Sequence, residues 1–72
     1  MQNKFRIRDV REDRDLSQTT VAALLKKSQR AYSRIESGEA ELRVDDLATL
    51  CKFYNLSADY LIGLTDEPRP LK

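Results

Sequence analysis

Between Ser28 and Gly38 the chain carries Gln29, Arg30, Ser33, Arg34 and Ser37 at intervals that gather them on one side of a helix, with Ala31, Tyr32 and Ile35 on the other. The polar set has a specific chemistry. Arginine can make a bidentate hydrogen bond to guanine O6 and N7, glutamine can do the same with adenine, and small hydroxyls reach base edges or phosphates. Gln29, Arg30, Ser33 and Arg34 are therefore the expected base contacts of a helix lying in the major groove. The competing reading is an ordinary solvated face, and Ser33 divides evenly between the two. Tyr32 reads as core filling with its hydroxyl at the rim. Ala31 has two readings, packing against the preceding helix or touching a thymine methyl.

Such a face is useful only if a scaffold presents it. Ser28 supplies an N-cap for this helix and Gly38 a C-terminal glycine. A shorter helix precedes it, capped by Ser17, with Val21, Ala22, Leu24 and Leu25 at helical spacing. Two helices joined this tightly have the layout of a helix-turn-helix. Their N-termini direct backbone N–H groups and a partial positive charge outward, which suits phosphate oxygens flanking a groove. Ser17, Gln18, Lys26, Lys27, Ser28 and Ser37 are the expected phosphate contacts around this unit. Capping and phosphate binding are compatible roles for Ser17 and Gln18.

The ordered set of residues resembles the Cro/phage-repressor type of helix-turn-helix, also called the Xre-like family, over roughly Phe5 to Leu64. The matching residues are Leu16-Ser17-Gln18, Ala22, Ser33-Arg34-Ile35-Glu36 and Gly38, followed by Leu47, Leu50, Leu56-Ser57 and Asp59-Tyr60-Leu61-Ile62-Gly63. A lone Leu-Ser-Gln carries little information; the full set at these spacings carries much more. The resemblance implies an all-α, compact five-helix, lambda-repressor-like DNA-binding domain in which helices two and three form the helix-turn-helix. It also implies a structural ion pair between Arg11 and Glu36, across helices one and three. Three features depart from the family pattern. Lys26 and Lys27 stand where the family usually has Gly and an apolar residue, so a lysine either occupies a φ > 0 turn at some cost or the turn differs. Glu39 and Glu41 put like charge beside the DNA backbone. Arg43 replaces a proline or capping residue, giving up a side-chain cap and offering a further phosphate contact.

The remaining segments read as scaffold. A first helix from about Arg6 to Arg14 turns Ile7 and Val10 inward and ends at Asp15 in a left-handed turn. A fourth, from about Val44 to Tyr54, sets Leu47, Leu50, Cys51 and Tyr54 on one face, with Asp45 and Asp46 in its first turn and Asn55 as its left-handed cap. A fifth starts at the Ser57 cap and runs to Gly63. The domain is expected to occupy residues 1–64, with 65–72 a mobile tail. Leu61, Ile62 and Leu64 are the expected dimer surface, the alternative being that they close the monomer core.

Composition narrows the function classes. Seventy-two residues make one small domain, which buries about 60% of its unfolded surface. The segment Met1 to Arg14 is charged throughout and does not read as a secretory signal, and no apolar run has membrane-spanning length. With one cysteine and no histidine there is no internal disulfide, no zinc site and no Ser/His/Asp or Cys/His nucleophile system. A cytoplasmic, non-enzymatic protein with no cofactor, membrane association or small-molecule ligand is expected. Net charge is +1, low for a nucleic-acid binder. Its distribution is uneven: residues 1–16 hold five basic and four acidic side chains (+1), 17–38 four and one (+3), and 39–72 four and seven (−3). The positive excess lies in the helix-turn-helix. These observations lead to a sequence-specific, double-stranded-DNA-binding transcription regulator, a repressor of phage or mobile-element type that binds an inverted repeat as a homodimer. The alternative is a protein-binding module, such as an antitoxin or anti-repressor, with the same fold and a protein partner.

Overall fold

A computed structural model describes residues 5–71 of the chain. Five helices follow one another, α1 (Ile7–Asp13), α2 (Gln18–Leu24), α3 (Gln29–Ser37), α4 (Val44–Tyr54) and α5 (Ala58–Leu61), with no strand among the described residues.

Serine hydroxyls start three of them. Ser17 Oγ accepts from the Thr20 amide at 3.0 Å, Ser28 Oγ from Ala31 at 3.1 Å and Ser57 Oγ from Tyr60 at 3.3 Å. Each bond satisfies one amide that the first helical turn leaves without a backbone partner. The ends are equally local. Gly38 closes α3 at φ 87°, and Asn55 closes α4 in the left-handed region at φ 54°. Asp15 makes the α1–α2 corner at φ 57°, so α1 is one residue shorter at each end than its charge and hydropathy pattern predicts. Arg43 provides no side-chain cap for α4, whose first turn instead carries Asp45 and Asp46 against the positive end of the helix.

The core lies where these short helices meet. Ile7 and Val10 of α1, Val21 and Ala22 of α2, Tyr32 and Ile35 of α3, and Leu50, Cys51 and Tyr54 of α4 join Leu25 and Leu61 in one buried cluster. No single helix here is long enough to be stable alone in water, so burial of these faces holds the helical state. Of the four apolar residues at helical spacing in this stretch, Val21, Ala22 and Leu25 are buried and Leu24 stands at the surface. Cys51 is a free, buried thiol whose pKa burial pushes up. It packs as a small hydrophobe.

The last helix corrects one expectation. Leu61, expected at a dimer surface, is 0% exposed and belongs to the monomer core, whereas Leu64 is 72% exposed and Ile62 is half-buried. Leu61 is drawn in because α5 closes the open end of the core, and its carbonyl also accepts from the Arg6 amide at 2.8 Å. Beyond α5 the chain runs back along the domain. The Arg6 guanidinium donates to the Thr65 carbonyl at 3.2 Å, pairs with Asp66 and lies 5.0 Å from the centroid of the Tyr60 ring. Ser57 N–H donates to the Arg69 carbonyl at 2.8 Å, a second tie on the segment expected to be a mobile tail. Residues 1–4 and 72 of the expected domain and tail lie outside the described residues.

Candidate nucleic-acid interface

The turn between α2 and α3 is built from backbone bonds. Leu25, Lys26 and Lys27 amides return to the carbonyls of Val21, Ala22 and Ala23, with Lys27 N to Ala22 O at 2.9 Å. This wrap forces Lys26 into the left-handed region at φ 59°. The penalty foreseen for a lysine there is therefore incurred, at roughly 1–2 kcal/mol for a Cβ-bearing residue. In return α3 leaves the turn at once, with Ser28 already capping it. The Ser17 and Ser28 caps are both exposed, so both helix starts lie at the protein surface.

The outer face of α3 divides into free and engaged groups. Gln29, Arg30 and Arg34 are exposed, while Ser33 is half-buried. Among the described residues Arg30 and Lys26 form no ion pair. Arg34 lies 3.7 Å from the Glu39 carboxylate. Ser37 Oγ sits 3.1 Å from the Arg34 carbonyl and 3.2 Å from the same Glu39 carboxylate, so its one proton serves either acceptor. Lys27 reaches across to Asp46 at 3.4 Å with its side chain only 27% exposed. That tie fastens the turn to the start of α4. Arg43 is exposed just ahead of α4.

Behind this face lies a polar network that ties three helices together. Arg11 grips Glu36 through two bonds, Nε to Oε2 at 2.7 Å and Nη2 to Oε1 at 3.1 Å, and its Nη1 donates to the Leu16 carbonyl at 2.8 Å. The pair is buried, with side-chain exposures of 10% and 3%. Gln18 Nε2 donates to Glu36 Oε1 at 3.0 Å, and Gln29 Nε2 donates to Gln18 Oε1 at 2.6 Å. A continuous chain of hydrogen bonds thus leads from α1 through the core end of α3 to the first residue of α3 at the surface. Burial alone opposes ionisation of Glu36. The Arg11 guanidinium, the neighbouring Tyr32 phenol and the Gln18 amide together outweigh it and hold the carboxyl below its ordinary range. Burial, reinforced by the Glu36 charge, pushes the Tyr32 hydroxyl up so that it stays neutral.

Of the residues expected to act together, Gln18 and Gln29 are in direct contact, and Arg11 with Glu36 forms the structural pair the family resemblance implies. Lys27 and Ser37 spend part of their hydrogen-bonding capacity inside the protein. Asp46 and Glu39 are the participants that sequence reasoning does not assign: the sequence marks Asp46 as a first-turn acid of α4 and Glu39 as like charge beside the DNA backbone, and neither reading names a partner. The partners lie across a loop or in another helix, so no spacing rule connects Asp46 to Lys27. Glu39, five residues after Arg34, is within reach once Gly38 folds the chain back.

A capped short helix, a tight left-handed turn and a second helix with an exposed Gln/Arg face over a buried charge network define a helix-turn-helix domain. The helix-turn-helix family profile matches residues 7–61, most of the chain. The chain belongs to this family, in its Cro/C1-type, Xre-like branch. It is 31% identical over 65 residues to YobD of Bacillus subtilis (strain 168), named an uncharacterized HTH-type transcriptional regulator, with 90% of this chain and 58% of that protein covered. The chain therefore spans somewhat more than half the length of that relative. No solved structure matches it significantly. No helix among the described residues is long and apolar enough to cross a membrane.

Proposed function

We propose that this chain is a sequence-specific, double-stranded-DNA-binding transcription regulator, with α3 as its reading helix. The observation that carries the reading is the exposed Gln29, Arg30 and Arg34 face, flanked by two capped helix N-termini at the protein surface. Base readout and phosphate positioning are separate tasks, and the two sets of groups fit them separately. Gln29, Arg30, Ser33 and Arg34 are assigned to bases. Ser17, Lys26, Ser28 and Arg43 are assigned to phosphates, with Gln18, Lys27 and Ser37 contributing only when internal bonds are exchanged for the backbone of the nucleic acid.

The regulator acts as a repressor by occupying an operator and excluding polymerase. Two copies related by a two-fold axis would meet half-sites about one helical turn, roughly 34 Å, apart. Ile62 and Leu64 are the apolar residues that remain available for such a dimer, since Leu61 is consumed by the core. The printed name of the Bacillus subtilis relative supports the regulatory assignment, and the positive excess in residues 17–38 supports the choice of surface.

Selection of the protein on a randomised duplex pool at low salt, beside an Arg30→Ala/Arg34→Ala variant, tests this. An inverted repeat enriched by the first protein and lost by the second is the expected result. No enrichment by either protein, with binding to a protein partner that is insensitive to salt, would replace this reading with the protein-binding module.

A further inference from the structure

We infer that Glu39 is a specificity-determining residue: an internal anion that occupies Arg34 until a base acceptor displaces it. The inference rests on the DNA-reading assignment of α3. Its own basis is the geometry at the end of that helix. Arg34 Nε lies 3.7 Å from Glu39 Oε2, while Ser37 Oγ, anchored on the helix itself, lies 3.2 Å from Glu39 Oε1. Gly38 at φ 87° folds the chain so that Glu39 comes back toward α3. The carboxylate is thereby presented to the one reading arginine that has an acidic neighbour, while Arg30, on the same face, has none among the described residues.

The consequence follows from competition. Arg34 and Glu39 are 58% and 66% exposed at their side chains, so the pair is solvated and weak enough for a ligand to break. Where no guanine stands at the matching step, Arg34 is left with phosphate oxygens, beside which the Glu39 charge is repelled. A guanine at the correct step offers two aligned acceptors, O6 and N7, and matches the fork of the guanidinium. Breaking the pair costs the same in both cases, but the repulsion between Glu39 and phosphate is larger where Arg34 is held at a phosphate than where it reaches into the groove. It lowers non-specific affinity more than specific affinity, in a protein whose small net charge already disfavours indiscriminate binding.

The test uses the full chain, a duplex obtained from the selection above and a scrambled duplex of the same composition. Glu39→Gln keeps the shape and removes the charge. It is expected to tighten binding to the scrambled duplex about three- to fivefold, the range a solvated ion pair can supply, and to tighten binding to the selected duplex by less. The salt slope on scrambled DNA should steepen by about one counterion. Glu41→Gln, two residues away and outside any ion pair among the described residues, should raise both affinities equally and leave their ratio unchanged. In an Arg34→Ala background, Glu39→Gln should no longer change the ratio. Equal tightening on both duplexes by Glu39→Gln, the same change of ratio in Glu41→Gln, or a change of ratio that persists without Arg34 would each overturn the inference. A wild-type chain that selects no sequence would instead overturn the DNA-reading assignment on which it stands.

Discussion

The Gln29 side-chain amide donates to Gln18 Oε1 at 2.6 Å, and Gln18 Nε2 in turn donates to Glu36 Oε1 at 3.0 Å. The first residue of the reading helix is thus held by the first residue of the helix before it, which is itself held by the core. Ordering of an exposed glutamine in advance removes rotamer freedom that binding would otherwise have to remove.

Replacing Gln18 by alanine releases Gln29 and leaves Glu36 with one donor fewer. A hydrogen bond to a charged group contributes about 1.5–3 kcal/mol. Gln18→Ala should lower stability by that amount in urea and weaken DNA binding beyond it. In a double-mutant cycle Gln18→Ala and Gln29→Ala should be non-additive for binding, measured by fluorescence anisotropy; additivity would show that the bond does not prepare Gln29.

Arg11 and Glu36 form the most consequential pair in the domain. Removal of one member strands a buried charge and typically costs about 3–5 kcal/mol, most of what a small domain possesses. Arg11→Ala should therefore be largely unfolded at 37 °C by circular dichroism. An isosteric apolar pair at both positions should recover much of the loss, because an intact buried ion pair contributes little net stability compared with good packing.

Acid should unfold the protein through the same carboxylate. Glu36 titrates lower in the folded chain than in the unfolded chain, where a glutamate titrates near about 4.3. A depressed folded pKa contributes stability that is fully present above the unfolded value and is lost as pH falls through the folded one. Urea midpoints should be flat from neutrality to about pH 5.5 and fall below the ordinary carboxylate range. Glu36→Gln should be less stable than wild type at neutral pH and should flatten that acid limb.

The left-handed turn at Lys26 is a local cost that glycine would relieve. Lys26→Gly should stabilise the fold by about 0.5–1 kcal/mol, the relief of Cβ strain less the extra chain entropy of glycine. Chemical denaturation checks the gain. The same variant should bind all duplexes more weakly by a common factor, because it loses a phosphate contact without altering α3.

The parts legible in the sequence are those decided within a turn or two of chain. Ser17, Ser28 and Ser57 as caps, Gly38 and Asn55 as left-handed ends and the face of α3 all follow from local hydrogen bonding and helical periodicity. Leu61 and Leu64 show the opposite case: a helix of four residues is too short for periodicity to separate the inward aliphatic from the outward one. The Lys27–Asp46 and Gln18–Gln29 pairs, and the return of residues 65–69 to Arg6 and Ser57, depend on how separate helices are placed. No spacing within one segment encodes them. The Arg11–Glu36 pair, 25 residues apart, was legible only through resemblance to other members of the family.

The outer face of α3 carries the proposed base readout. Its most direct test is the affinity of wild type, Arg30→Ala and Arg34→Ala for the selected duplex and for every single-base-pair variant of it. Each arginine variant should lose about 1–3 kcal/mol on the selected duplex and lose its discrimination at one base pair per half-site, with other positions unchanged. A uniform loss across all positions would mean that both arginines hold phosphates, and that α3 does not read the sequence.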